Sequence, residues 1–228
     1  MSGVRIKICG VTNVADALAA VRLGADALGF NLYAGSPRHV GVADAAGIVR
    51  ELPPFTSAVA VLVNEPLAAI LGTMPQLGAI STIQWHGDDP PVFSQTPYRF
   101  APAFSIGDVN DLAKVNRYLE RCRAADSLPA AVLLDGHRAG LHGGTGQPAP
   151  WELLALFDPG VPIILAGGLT PDNVAEAIRI VRPYAVDVAS GVESAPGRKD
   201  VEKMRRFIDN ARSAAAGIAG APRAAGHG

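Results

Sequence analysis

Two side chains suited to moving protons stand at matching places in the sequence pattern. Cys9 closes the run Arg5-Ile6-Lys7-Ile8-Cys9-Gly10, where apolar and other residues alternate, and Asp135 closes the apolar run Ala131-Val132-Leu133-Leu134-Asp135-Gly136. Both runs read as strands ending at a glycine. In parallel α/β folds, reactive groups gather just beyond the carboxyl ends of strands, where loops are free to vary. A thiol and a carboxyl at two such ends form a base and an acid. Alone, Cys9 reads as a buried inert thiol and Asp135 as a turn or capping carboxylate; together they point to proton transfer. Gln84 and His86, two residues apart on another strand, share a face that looks into the same mouth. Lys7 has the parity of Cys9, and a lysine facing a barrel interior needs a partner. Asp187, in the last strand of the chain, supplies one if the sheet closes on itself.

Three glycine clusters form the second signal: Gly143-Gly144-Thr145-Gly146, Gly167-Gly168 and Ser190-Gly191. Glycine lets backbone N–H groups approach an anion, and a helix start nearby adds a positive dipole end. Any one cluster could simply make a tight turn. Three on one rim favour a phosphorylated ligand, because barrels often bind phosphate at the loops after their last strands. No cluster has the lysine of a nucleotide-binding P-loop, and no G-x-G-x-x-G opens a helix after the first strand.

The elements that must position these residues alternate with little interruption. Strands are expected at 5–9, 27–31, 58–63, 82–85, 98–104, 131–135, 162–166 and 185–189. Helices are expected after a Thr12 or Asn13 cap up to Gly24, then at 42–52, 65–74, weakly at 90–95, and at 108–123, 150–157, 172–181 and 200–214. Strict βα alternation demands parallel pairing with right-handed crossovers. Eight such units in 228 residues favour a closed (β/α)8 barrel, an α/β TIM barrel, over an open sheet. The barrel is expected to fill residues 1–213, leaving 214–228 as a flexible Ala/Gly/Pro-rich tail.

Composition excludes several classes. The chain is 49% hydrophobic, enough for a large core, and its net charge of −1 gives no electrostatic reason to expect nucleic acid or a membrane surface. Two cysteines, Cys9 and Cys122, offer neither a disulfide framework nor metal-ligand spacing, so no metal is expected and a reducing cytoplasm fits. No signal-peptide core and no membrane-spanning stretch are read in the sequence.

The chain resembles the phosphoribosylanthranilate isomerases of tryptophan biosynthesis. The resemblance runs in order through Lys7-Ile8-Cys9-Gly10, Gly29-Phe30, Ser36-Pro37-Arg38-His39-Val40, Gln84-Trp85-His86-Gly87-Asp88 and Leu133-Leu134-Asp135. It continues through Gly143-Gly144-Thr145-Gly146, Ile164-Leu165-Ala166-Gly167-Gly168-Leu169, Val186-Asp187-Val188-Ala189-Ser190-Gly191-Val192-Glu193 and Lys199-Asp200. It departs at 31–35, at Gln147-Pro148-Ala149-Pro150-Trp151 and at Ala189. The resemblance implies a TIM barrel and a cofactor-free Amadori rearrangement of N-(5′-phosphoribosyl)anthranilate to 1-(2-carboxyphenylamino)-1-deoxyribulose 5-phosphate. It implies Asp135 as general acid at the furanose ring oxygen and Cys9 as general base at C2′, its thiolate favoured by nearby cations. Arg38 would hold the anthranilate carboxylate bidentately, with Gln84, His86, Gly143, Gly144, Gly167, Gly168, Ser190 and Gly191 around the substrate. The expected partner is the small phosphoribosyl substrate, and the enzyme is expected to be a monomer or homodimer. Two rivals stand beside this reading: the related histidine-pathway phosphosugar isomerase or a dual-substrate version of it, and a non-catalytic phosphate-binding barrel.

Overall fold

In a computed structural model that describes residues 3–93, 96–136 and 151–219, the strand signals resolve into one closed sheet. Its eight parallel strands are β1 (Arg5–Cys9), β2 (Ala27–Asn31), β3 (Ser57–Val63), β4 (Thr82–His86), β5 (Arg99–Ser105), β6 (Val132–Asp135), β7 (Ile163–Ala166) and β8 (Ala185–Val188). β8 closes on β1, with Lys7 opposite Asp187. A short antiparallel pair follows, β9 (Glu193–Ala195) and β10 (Arg198–Lys199). The helices are α1 (Val14–Leu23), α2 (Val42–Arg50), α3 (Leu67–Thr73), α4 (Val109–Ala124), α5 (Trp151–Ala155), α6 (Val174–Val181) and α7 (Val201–Ala219).

The two faces of each strand meet different surroundings because strand side chains alternate. Outward residues such as Ile6, Ile8, Leu28, Phe30, Leu62, Ile83, Leu134 and Val186 pack with the helices in one continuous core. Inside, a much smaller apolar cluster of Ala103, Leu133 and Ala166, with Ile164 against it, fills part of the barrel. Val61 faces the same interior, and the polar residues among the interior positions carry the site.

Local chemistry sets the helix ends. Asn13 caps α1 by accepting from the Asp16 N–H, and Gly24 ends it in the left-handed region at φ 104°. Asp108 caps α4 in a reciprocal box with Asp111, and Arg121 and Arg123 sit in its last turn.

Two expectations need correction. Residues 90–93 form no helix: Pro90 and Pro91 cannot donate, and the carbonyls of Pro91 and Phe93 accept from Tyr118 and Ser127 instead. The last helix does not stop at the expected barrel boundary of 213. α7 runs to Ala219, with Ala214 buried and Ala215 and Ile218 packed against the core. Met204, Phe207, Ile208, Ala211 and Ala214 recur at helical spacing, and alanine is the best helix former, so the stripe continues. Residues 220–228 lie outside the described residues. No described helix is long and apolar enough to cross a membrane.

Candidate active site

The carboxyl ends of the strands frame a cavity of about 290 Å³. Cys9 and Gly10 enter it from β1, Asn31 and Arg38 from β2 and its loop, and Val61 from β3. Gln84 and His86 come from β4, Leu133 and Asp135 from β6, Ala166, Gly167 and Gly168 from β7, and Asp187 and Ser190 from β8 and its loop. Thus Cys9, Asp135 and Arg38 open onto one mouth, as strand-end placement predicted. A second cavity, of about 560 Å³, adjoins it, with His86 and Asp135 in its wall too and Phe104, Ser105 and Lys114 on its far side.

Of the other expected residues, Gly191 does not line the cavity. It lies behind Ser190, so close to the β7 loop that a Cβ would stand 2.0 Å from the Leu169 carbonyl oxygen. Gly143 and Gly144 lie outside the described residues. His39 is exposed, whereas Cys122 is buried within α4.

Lys7 Nζ donates to Asp187 Oδ1 at 2.9 Å, and their side chains are only 6% and 8% exposed. The pair is the one that strand parity and closure predicted. Lys7 also adjoins the thiol. A Cβ on Gly29, opposite Cys9 in the neighbouring strand, would lie 2.8 Å from Cys9 Sγ and 3.0 Å from Lys7 Nζ. Both polar heads occupy the space a side chain would take there, so a larger residue would have to displace them. Burial disfavours the Lys7 cation, but Asp187 and Cys9 outweigh it and hold its pKa above the ordinary value.

The thiol behaves differently from expectation. Burial pushes Cys9 up, the Lys7 ammonium pulls it down through charge and hydrogen bonding, and Asp187 opposes that pull; burial wins. The free site therefore holds a thiol above its ordinary pKa, where cationic neighbours alone had suggested a lowered one. His86 is held below its ordinary value by burial, with Lys7 adding to the effect, so the ring is neutral at pH 7. Gln84 Nε2 sits 2.8 Å from His86 Nε2. An amide nitrogen donates, which leaves the ring proton on Nδ1.

Asp135 ends β6 with its backbone locked: its carbonyl accepts from the Ile106 N–H at 2.8 Å, and its neighbours in register are Ser105 and Ala166. The Arg38 loop is pinned as firmly. Ser36 Oγ accepts from Asn31 Nδ2 at 3.0 Å and from the Arg38 N–H at 3.1 Å, and the Val40 N–H reaches the Asn31 carbonyl. Gly10, at φ 73°, leaves room for the Arg38 stem, which a Cβ would meet at 2.5 Å.

Two residues to which the sequence analysis gave no role stand behind this loop. Arg38 donates through Nε and Nη2 to both oxygens of Glu193, and Lys199 Nζ donates to Glu193 Oε1 at 2.8 Å. The signal for them was faint: charged residues in a stretch otherwise made of small residues, with nothing to indicate where their loop folds. Among the described residues, no group of three or more His, Cys, Asp or Glu could hold a metal ion.

The arrangement gathers a thiol, a carboxyl, a guanidinium and glycine-rich turns around one small cavity. The chain matches the family model of N-(5'phosphoribosyl)anthranilate (PRA) isomerase over residues 6–210. It is 46% identical over 211 residues to the N-(5'-phosphoribosyl)anthranilate isomerase of Geobacter metallireducens, covering 92% of this chain and 100% of the relative. The crystal structure of phosphoribosyl anthranilate isomerase from Thermotoga maritima aligns with a TM-score of 0.80 at 37% identity, over 92% of this chain and 99% of that one. A crystal structure of phosphoribosyl anthranilate isomerase in complex with reduced 1-(o-carboxyphenylamino)-1-deoxyribulose 5-phosphate aligns with a TM-score of 0.77 at 36% identity, over 92% and 99% of the two chains.

Proposed function

This chain belongs to the N-(5'-phosphoribosyl)anthranilate isomerase family and is an isomerase of tryptophan biosynthesis, and from that premise we propose that Cys9 is its general base, Asp135 its general acid and Arg38 its carboxylate anchor. The observation that carries this assignment is that all three line one cavity together with Gly167, Gly168 and Ser190. The substrate is a phosphoribosyl amine with an anionic group at each end. Its 5′-phosphate fits the N–H groups of the Gly167-Gly168 and Ser190 turns, and its anthranilate carboxylate fits the planar guanidinium fork of Arg38. The ribose carbons then lie between Cys9 and Asp135.

Ring opening comes first. Asp135 in its protonated form gives its proton to the furanose oxygen as the C1′–O bond breaks, while the nitrogen lone pair forms the C1′=N bond of an iminium. Cys9, as thiolate, takes the proton on C2′. The C–H electrons become a C1′=C2′ bond, and the C=N electrons return to nitrogen, which gives an enolamine. Proton transfer from the C2′ hydroxyl to C1′ completes the ketone. The raised pKa of the thiol in the free site makes the thiolate a minor form, and two anionic ends on the substrate push it further up. The Lys7 ammonium beside Sγ opposes both effects, so the base depends on that cation. A cytoplasmic location is the reading that a biosynthetic family and two free cysteines support.

Freshly prepared phosphoribosylanthranilate, followed by its fluorescence, tests the roles directly. Cys9→Ala and Asp135→Asn should each lower kcat by about 10²–10⁴-fold, the usual weight of a general acid or base, with KM little changed. Arg38→Ala should raise KM strongly, because the carboxylate is present in ground and transition states alike. A folded Cys9→Ala variant with near-normal kcat would remove the thiol from the mechanism.

A further inference from the structure

Glu193 and Lys199 do not line the cavity, yet they meet the site at both ends. Glu193 opens β9 and is 7% exposed. Its carboxylate accepts from Arg38 Nε at 2.9 and 3.1 Å and from Nη2 at 2.8 Å. One edge of the guanidinium is therefore occupied. The planar fork has a second edge, Nη1 with the other Nη2 hydrogen, that Glu193 leaves for another carboxylate. Lys199, its side chain 0% exposed, donates to Glu193 Oε1 at 2.8 Å, to the Cys9 carbonyl at 2.6 Å and to the Ala189 carbonyl at 3.3 Å. All three ammonium protons are committed, one of them to the backbone of the proposed base.

We propose that Glu193 and Lys199 are positioning residues for recognition of the substrate carboxylate: Glu193 grips the Nε–Nη2 edge of Arg38 so that the outer edge meets the anthranilate carboxylate, and Lys199 balances Glu193 and ties it to the Cys9 carbonyl. This rests on the assignment of Arg38 to that carboxylate. The consequence is geometric. The anchor for one end of the substrate and the strand end that carries the base share one buried ion cluster, so the separation between them is fixed. Burial opposes ionisation of Glu193, but the hydrogen bonds and charges of Arg38 and Lys199 outweigh it and hold its carboxyl below the ordinary value, which keeps the cluster charged at neutral pH.

The opposite role for Glu193 is competition, in which it must release Arg38 before substrate binds. The two differ in sign. Isothermal calorimetry would compare the reduced product analogue with its phenylamino counterpart, which lacks the ring carboxylate. The proteins are the full chain, Arg38→Ala, Glu193→Gln and the charge-balanced double variant Glu193→Gln/Lys199→Met, each checked by circular dichroism. Wild type should prefer the carboxylate-bearing compound by at least about tenfold, the weight of a charge-assisted hydrogen bond, and Arg38→Ala should abolish that preference. Glu193→Gln and the double variant should shrink it about tenfold or erase it, with KM raised and kcat less affected. A preference left intact in folded Glu193→Gln and double variants, or tighter binding of the carboxylate compound, overturns the proposal while the Arg38 assignment stands. No preference in wild type overturns both.

Discussion

Replacing Lys7 with Met should cost about 3–5 kcal/mol of stability, the usual penalty for stripping one partner from a buried ion pair. The site meets the conditions for that figure: the ions are 2.9 Å apart, and the side chains are 6% and 8% exposed. Asp187 would be left inside the barrel without its ammonium partner. Against a total stability of about 5–15 kcal/mol, this is a large share, yet the variant should still fold. Asp187→Leu should cost a similar amount. The double variant Lys7→Met/Asp187→Leu removes both charges, and a neutral apolar pair can match a buried ion pair in stability, so it should recover most of the loss. Urea unfolding of the four proteins gives the coupling energy. Activity should not recover with stability. Lys7 is the cation that pulls the Cys9 thiol down against burial. Without it, the thiol moves further up. Because the base acts as thiolate, the rate rises with pH through the thiol pKa, so the acid limb of the kcat profile should shift to higher pH. Additive losses in the two single variants would refute the pairing. A stable double variant with normal kcat and an unmoved acid limb would refute the activating role.

Three further outcomes are expected. Gly191→Ala places a Cβ 2.0 Å from the Leu169 carbonyl oxygen and 3.2 Å from Thr170 Cα, both backbone, so the loops after β7 and β8 must part. Overpacking of this kind costs about 1–3 kcal/mol, and KM should rise because the turns proposed to hold the phosphate move; an unchanged urea midpoint and KM would show that the loops adapt freely. Cys9 should react with iodoacetamide more slowly than free cysteine at pH 7, since burial holds it protonated, with the rate climbing at higher pH. Glu193 titrates below its ordinary 4.5 when folded, so the unfolded chain takes up its proton first as pH falls. Its stabilisation is complete above pH 4.5 and is lost as pH falls through the folded value, and the urea-midpoint gap between wild type and Glu193→Gln should narrow over that range.

The barrel was legible because strand-like runs alternate with helical patterns, several of them ending at a glycine, and because closure of eight parallel strands brings the last beside the first. That logic alone placed Cys9 and Asp135 on one rim and paired Lys7 with Asp187. Local pattern narrowed the first cap to Thr12 or Asn13, and the structure puts it on Asn13. Where tertiary contacts compete with pattern, it failed. The carbonyls of Pro91 and Phe93 are taken by Tyr118 and Ser127, so no helix forms over 90–93. The alanines after Arg212 read as a tail but continue the buried stripe of α7.

The site divides along the same line. Residue types and strand parity determined which groups could face the cavity, since both are set by backbone periodicity. The direction of the Cys9 pKa was decided only by the packed structure, because burial and the Lys7 charge oppose each other and no spacing reveals which prevails. The grip of Glu193 on Arg38 spans 155 positions and runs through a loop and a short strand whose path no periodicity encodes. Sequence named the groups that could react; tertiary packing set the direction of the Cys9 pKa and fixed Arg38 against Glu193.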